Sequence, residues 1–303
     1  MKVVAITPNG KQDYLAECII EGLKELNVDI LHTDAGNGLK GTNSDEYVVS
    51  HGQDADCILA FWSKSRAPAP RYHLMDQLSN LPVAYIDGSE YNYTGYVKES
   101  HPWLWPMMLD RADFYFKREC RPQDLDKGVL PLPFATRVQD QIADDTFKDI
   151  DIFCAFGQNH MDPIRAELET FCNKWANQGM NIKVGPCPAK EYQELTKRSR
   201  ICVNAHGGGQ DCMRFWEILG GGSSVFTQKL TIVVPMPFQH QKNIIEFTNL
   251  NEFHEHVSYY LTHPDALSEL TRMGYQHMLK YHTTRARAQY MLGAMGWDYP
   301  TED

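Results

Sequence analysis

Between Ile201 and Gln228 the chain reads ICVNAHGGGQDCMRFWEILGGGSSVFTQ, and the residue types in this run could do chemistry together. A turn of His206, Gly207, Gly208 and Gly209 follows an apolar run and precedes a helical one. Glycine lets a backbone come close to a bulky anion, and the start of the next helix adds unpaired N–H groups and a positive dipole end. Arg214 and Glu217 lie one helical turn apart and share a face. The cation suits a phosphate, and the acid suits the hydroxyls of an attached sugar. The combination predicts a site for a nucleoside diphosphate that carries a sugar. An exposed ion pair is the other use of the same two residues. Their neighbours Phe215, Trp216, Ile218 and Leu219 turn the helix inward and favour the site.

Moving a sugar off such a donor has three requirements. The departing diphosphate must be stabilised, and without a metal that falls to helix N-termini and to Lys or Arg. Candidates are the amides of Gly208 and Gly209, the early turn Asn9–Gly10–Lys11, Arg165 and Lys229. Lys11 and Arg165 read equally well as surface helix charges. The acceptor hydroxyl must lose a proton, and Asp87, Glu90 and His101 sit in a long loop after a strand, where a base could stand. Asp87 could instead fix the turn with Gly88. If configuration is retained, the leaving phosphate can take the proton itself. The sugar must be held as it gains positive charge, and Tyr85, Tyr91, Tyr93, Tyr96, Trp103 and Trp105 crowd the same loop. They suit an acceptor platform or a packed hinge.

Other polar motifs read as structure. Asp211 is expected to cap the helix that carries Arg214. Gly220–Gly222 should end that helix with a left-handed cap. The DxD strings at Asp54–Asp56 and Asp149–Asp151 stand at strand entries and read as turn residues. Cys202, His206 and Cys212 match no standard zinc spacing, so no metal site is expected.

The elements that must position these residues alternate along the chain. Strands are expected at Val3–Thr7, Val28–Leu31, Cys57–Trp62 and Val83–Ile86, with helices at Tyr14–Leu26, Tyr72–Leu78 and Leu104–Leu109, a loop over Thr33–Asp45, and Phe114–Phe116 leading into Lys117–Arg118–Glu119. A linker rich in proline and polar residues precedes a second set. Strands at Ile150–Phe156, Ile182–Val184, Arg200–Asn204, Ser223–Thr227 and Ile244–Phe247 alternate with helices at Pro163–Trp175, Pro188–Arg198 and Asp211–Leu219. Three helices then close the chain: Leu250–Leu261, Pro264–Tyr281 and Thr283–Leu292, the last with Thr283 as a good cap. Alternation of this kind signals α/β architecture with parallel sheets, in which ligands bind beyond the strand C-termini.

The 303 residues suffice for two such domains, and the net charge of −10 excludes a broad attraction to nucleic acid or anionic membranes. Lys197, Arg198 and Arg200, like Arg285 and Arg287, are candidates for a local basic groove, though solvated faces are the favoured reading. Eight scattered cysteines without a CxxC pair suit a reduced, cytoplasmic setting. The N-terminus MKVVAITPNG lacks a signal-peptide pattern, and no run is long enough to span a bilayer.

The segment from about Ala189 to Leu292 resembles the C-terminal half of GT-B glycosyltransferases of the CgeB-like, family-1-type group. The matching words are KEYQELTKRSRICVNAHGGG, RFWEILGGGSSVFTQ, the HP of YYLTHPDALSEL and YHTTRARAQYML, with YFKRE and LPLPFA as looser matches upstream. That resemblance implies two Rossmann-like α/β domains facing across a cleft. Residues 1–145 would bind the acceptor, 146–282 would bind the nucleotide sugar, and 283–303 would form a helix that crosses back to the first domain. It implies a hexosyl- or pentosyltransferase that uses a UDP- or GDP-sugar as substrate, with no cofactor and no metal. Glu217 would hold the donor ribose and Arg214 would lie near the phosphates. Retaining members often carry a second glutamate eight positions earlier, where this chain has Gly209, so the stereochemical outcome stays open. A glycan, a small molecule, a protein or a modified nucleic-acid base could be the acceptor. A GT-B-type sugar-nucleotide epimerase and a non-catalytic two-lobed binding protein are the rival readings.

Overall fold

The computed structural model describes residues 1–7, 13–33, 42–62, 72–90, 111–141, 147–157 and 162–297. The chain divides into two compact units: Met1–Phe134 with Ile232–Pro235 and Thr284–Asp303, and Ala135–Thr231 with Met236–Thr283. Each is built on one parallel sheet, as alternating strand and helix patterns require.

In the first unit β1 (Lys2–Ile6), β2 (Asp29–His32), β3 (Cys57–Trp62), β4 (Val83–Asp87), β5 (Phe114–Lys117) and β6 (Val129–Pro131) line up as β2-β1-β3-β4-β5-β6. Every residue of β3 is buried, as the apolar run CILAFW demands of a strand covered on both faces. The helices are α1 (Tyr14–Glu25), α2 (Asp45–His51), α3 (Tyr72–Gln77) and the single turn α4 (Pro122–Leu125). Asp13 caps α1 by accepting from the amides of Leu15 and Ala16. Neither α2 nor the short pair α4 and β6 is legible in the sequence. α2 buries only Val48, so it shows no apolar stripe, and its start depends on Ser44, whose hydroxyl accepts from the Tyr47 amide at 3.2 Å.

The second unit holds β7 (Ile150–Cys154), α5 (Pro163–Ala176), β8 (Ile182–Val184), α6 (Ala189–Arg198), β9 (Ser199–Asn204), α7 (Met213–Gly220), β10 (Ser224–Gln228), β11 (Ile245–Phe247), α8 (Leu250–Thr262) and α9 (Pro264–Tyr281). Its strand order is β11-β10-β9-β7-β8. The core gathers Ile152, Leu168, Val203, Phe226, Phe247 and Phe253, all buried. Burying such side chains is worth roughly 1.5–3 kcal/mol each. From β7 the chain moves outward to β8, then returns past β7 to lay β9 on its other side. A crevice therefore opens outside the C-terminal ends of β7 and β9, the switch point where ligands of such sheets bind.

The last helix, α10 (Thr284–Ala294), belongs to the first unit and packs on α1. The two backbones come so close that a Cβ on Gly22 would stand 2.0 Å from the Thr284 carbonyl oxygen. Glycine is what permits the approach. The Thr284 hydroxyl donates to Glu25 at 2.6 Å, and Arg285 donates to the Glu25 carbonyl at 2.9 Å.

Candidate functional site

At the β7 and β9 ends of the second unit a pocket of about 410 Å3 opens. Phe156 and Gly157, just past β7, form one wall; Cys212, Arg214 and Glu217 at the start of α7 form another; Cys187 and Tyr192 close it. All of these residues lie in one unit.

The glycine turn that leads to α7 is pinned at both ends. The His206 amide donates to Gln228 Oε1 at 2.9 Å, and Gln228 Nε2 donates to Asp162 Oδ2 at 2.9 Å. Asp162 also caps α5, where it accepts from the Ile164 amide at 3.1 Å. Within the turn the Gly207 amide donates to the Gly209 carbonyl at 2.8 Å. On the far side Gln210 accepts from the Thr231 amide at 2.7 Å. A Cβ on Gly207 would meet Arg165 Nη2 at 3.1 Å and Cys212 Sγ at 3.3 Å. Here glycine is needed to admit a guanidinium rather than to relieve the backbone.

That guanidinium is one of two. Arg165, on α5, is 5% exposed and donates to the Ala205 carbonyl at 3.2 Å. Its Cζ stands 5.3 Å from the centre of the Phe156 ring, and the Cζ of Arg214 stands 5.0 Å from the same centre. Burial, and next the Arg214 cation, push the Arg165 pKa down from its ordinary value. Two cations brought within reach of each other repel, and an aromatic face shared between them softens the repulsion only in part. Arg214 Nη1 is buried and has no hydrogen-bond partner among the described residues. A diphosphate would supply acceptors for such donors and neutralise both charges.

Glu217 faces the same pocket. Burial, then the negative charge of Asp140, push its pKa up to about 7, against the opposing pull of Arg214, the Tyr192 hydroxyl and Arg137. No ion pair within 4.0 Å forms between Glu217 and Arg214 among the described residues, so the exposed-pair alternative does not apply. Burial likewise raises the Tyr192 pKa, with Glu217 adding to it. The carboxyl thus lines a pocket that has room for the hydroxyls of a pentose.

The helix that bears these residues starts differently from the sequence expectation. Cys212, not Asp211, is the N-cap of α7, and it makes no side-chain capping bond. Asp211 is 5% exposed and accepts from the Trp216 indole at 2.8 Å. A ring one turn along the helix outbids the helix amides for that carboxylate, because a buried indole N–H must find an acceptor. At the other end Gly222 takes φ 63° just past the cap residue Gly221, the left-handed close expected there.

His206 is half-buried beside the turn; burial lowers its pKa, with Asp162 pulling the other way. Lys229 lies exposed at the end of β10 and does not line the pocket. Gly10, Lys11 and His101 fall outside the described residues, as do Tyr91, Tyr93, Tyr96, Trp103, Trp105 and the expected helix at 104–109. Asp87 and Glu90 belong to the first unit. Asp87 is 3% exposed and fully engaged. It accepts from the Tyr115 hydroxyl at 2.6 Å and the Ser89 amide at 2.9 Å, and its Oδ1 lies 3.1 Å from Lys117 Nζ. A carboxylate with its lone pairs so occupied, and closed to water, is a poor base; it organises the strand end instead. Glu90 keeps an exposed carboxyl, with Arg118 Nη2 at 4.0 Å. The DxD acids hold strand entries: Asp54 binds Lys2, Asp149 binds Arg198, and Asp151 binds Arg200.

Phe156 and Tyr192 of the pocket escaped the sequence reading, as did Asp140, whose charge acts on Glu217 although it does not line the pocket. Phe156 ends an apolar strand next to Gly157, a signal indistinguishable from ordinary core until the sheet order places it at the switch point.

Residues 154–293 match the glycosyl transferase-like family. No sequence among curated proteins matches the chain significantly. Among solved structures, an alpha-glucosyltransferase in complex with UDP-glucose and DNA containing an abasic site superposes with a TM-score of 0.61 at 8% identity, over 98% of each chain. HepE of Anabaena, in complex with UDP and glucose, gives 0.60 at 9% identity over 98% of this chain and 99% of its own. The sucrose-phosphate synthase of Thermosynechococcus elongatus gives 0.56 at 12%, over 98% of each. At such identities the likeness is one of fold, and the fold is that of the GT-B class.

Proposed function

With residues 154–293 forming a glycosyl transferase-like domain in a GT-B fold, we propose that the protein is a metal-independent hexosyltransferase that takes its sugar from a UDP-sugar bound in the β7–β9 pocket. One observation carries most of this: two arginines share one ring at a strand-end crevice that is also lined by a half-buried glutamate whose pKa is raised to about 7. Arg214 and Arg165 receive the diphosphate, and Glu217 accepts from the ribose hydroxyls. In the transfer the bond from the sugar C1 to the diphosphate oxygen breaks, and the leaving group keeps the electron pair. The two guanidiniums stabilise the charge that builds there, in the position where preorganised donors contribute most. An acceptor oxygen forms the new bond to C1 and gives up its proton. Of the candidate bases Asp87 and Glu90, Glu90 keeps an exposed carboxyl, and the departing phosphate is the alternative recipient.

The test is a thermal-shift series with UDP, GDP, CDP, ADP and TDP and their glucose conjugates. A bound nucleotide raises stability by RT ln(1 + [L]/Kd). UDP and UDP-glucose should shift the wild type, and Glu217→Ala should abolish that shift. A UDP shift that persists in Glu217→Ala removes the residue from the donor site. Slow release of UDP from UDP-glucose should follow in a hydrolysis assay; conversion to another sugar nucleotide would mark an epimerase instead, and neither event would mark a binding protein.

A further inference from the structure

A second cavity of about 410 Å3 opens in the same unit, at the opposite ends of its strands. Lys148 precedes β7, Arg200 opens β9 and Gly222 precedes β10, so this wall is built from the N-terminal edge of the sheet. The other wall is one face of α9, met at intervals of three and four residues from Pro264 to Gln276. At 1.5 Å per residue that face runs for about 18 Å, which makes the cavity a groove.

We propose that this groove binds an acidic saccharide, a sugar ring that bears a phosphate or a carboxylate. Its lining holds three cations, Lys148, Arg200 and Arg272, and no carboxylate, in a chain whose net charge is −10. Lys148 Nζ donates to the neutral Ser223 hydroxyl at 2.9 Å. Arg200 engages Asp151 through Nη1 at 3.3 Å, which leaves the rest of its fork to a ligand. Arg272 stands exposed at the rim, where Glu269 pairs with it and Gln276 accepts from it, so it adds less to the field than Lys148 and Arg200. Between the cations stand Ser268, Thr271 and the ring of Tyr275. Thr271 is engaged by the Leu267 carbonyl and the Ser224 hydroxyl, so the Ser268 hydroxyl is the one offered to a sugar, and the amphipathic ring face suits its C–H face. A bare anion would have no use for the ring or the length. The groove shares no lining residue with the β7–β9 pocket, so the two can be filled independently.

Calorimetric titration of the full chain, with UDP present in excess, tests this with glucose 6-phosphate, glucuronate, glucose and inorganic phosphate. At least one of the two sugar acids should bind saturably, about tenfold or more tighter than glucose and than phosphate alone. Lys148→Met and Arg200→Gln should each weaken that binding about tenfold. Arg198→Gln, on the same edge but outside the groove, should leave it unchanged, and melting temperatures certify folding of all three. Absence of saturable binding by both acids overturns the proposal. Phosphate that binds as tightly as the sugar acids reduces the groove to a plain anion site and overturns it too. Equal affinity in wild type, Lys148→Met and Arg200→Gln does the same. Failure of UDP to bind anywhere would count against the donor pocket alone.

Discussion

Charged groups gather at strand ends in both units, and the two units treat them in opposite ways. At the ends of β4 and β5, neighbours in register at Asp87 and Lys117, cation and anion satisfy each other. Lys117 is wholly buried and gives its remaining donors to the Ser89 hydroxyl at 2.7 Å and the Ser89 carbonyl at 3.2 Å. At the ends of β7 and β9 two cations share a ring while the nearby acid is pushed toward its neutral form. A closed account of charge marks a structural cluster; an open one, held rigid by a pinned turn, marks a place prepared for a ligand. Residue type alone does not separate the two cases.

The comparison breaks first at Lys117. Lys117→Met leaves Asp87 buried beside an apolar chain, and removing one partner of a buried pair costs about 3–5 kcal/mol. Urea unfolding of the variant should show that loss, and Lys117→Met with Asp87→Asn together should recover most of it. A variant as stable as the wild type would mean that the cluster is not structural.

Next comes the pH dependence of Glu217. Its folded pKa of about 7 lies above the ordinary 4.5. The folded state therefore holds a proton that the unfolded state has released, and stability falls as pH rises from about 4.5 to 7, by up to roughly 3 kcal/mol, then levels. Denaturation midpoints across that range should decline in the wild type and flatten in Glu217→Gln. Parallel profiles would place the titration elsewhere.

Arg214→Ala should weaken UDP binding by about 10- to 100-fold, from the worth of roughly 1.5–3 kcal/mol for a hydrogen bond to a charged group. Calorimetry decides it, and an unchanged Kd would show that Phe156 carries the cation for packing alone. Gly207→Ala is gentler, since the added methyl displaces Arg165 by tenths of an ångström; UDP affinity should drop a few fold with folding intact. Least of all, Asp149→Asn and Asp54→Asn should leave UDP affinity untouched with or without added Mn2+. A Mn2+-dependent loss in either variant would restore a DxD role.

Much of the second unit's site is legible because its signals are local. A glycine turn between strand and helix, and an Arg and a Glu one turn apart, depend on residues within a dozen positions of one another. The misses involve partners distant in sequence. Asp211 looks like a cap until Trp216 is seen to face it, and Asp87 looks like an available base until β5 brings Tyr115 and Lys117 alongside. Arg165, ambiguous with a surface charge in the sequence, is 5% exposed because α5 lays it against Phe156 and Gly207. α2 escapes notice since its single buried residue leaves no periodicity to read.

By itself the sequence settles the longer, periodic elements, the parallel α/β class and the helix on which Arg214 and Glu217 ride, because hydrophobic period and turn chemistry act over short spans of chain. Tertiary structure alone decides which charges are spent and which are left over. That depends on strand order: β9 returns to the far side of β7, and only then do Arg165, Phe156, Tyr192 and Asp140 meet the helix that the sequence had already placed. Burial and the distance between charges, which set every one of these energies, are properties of that meeting and of no residue taken singly.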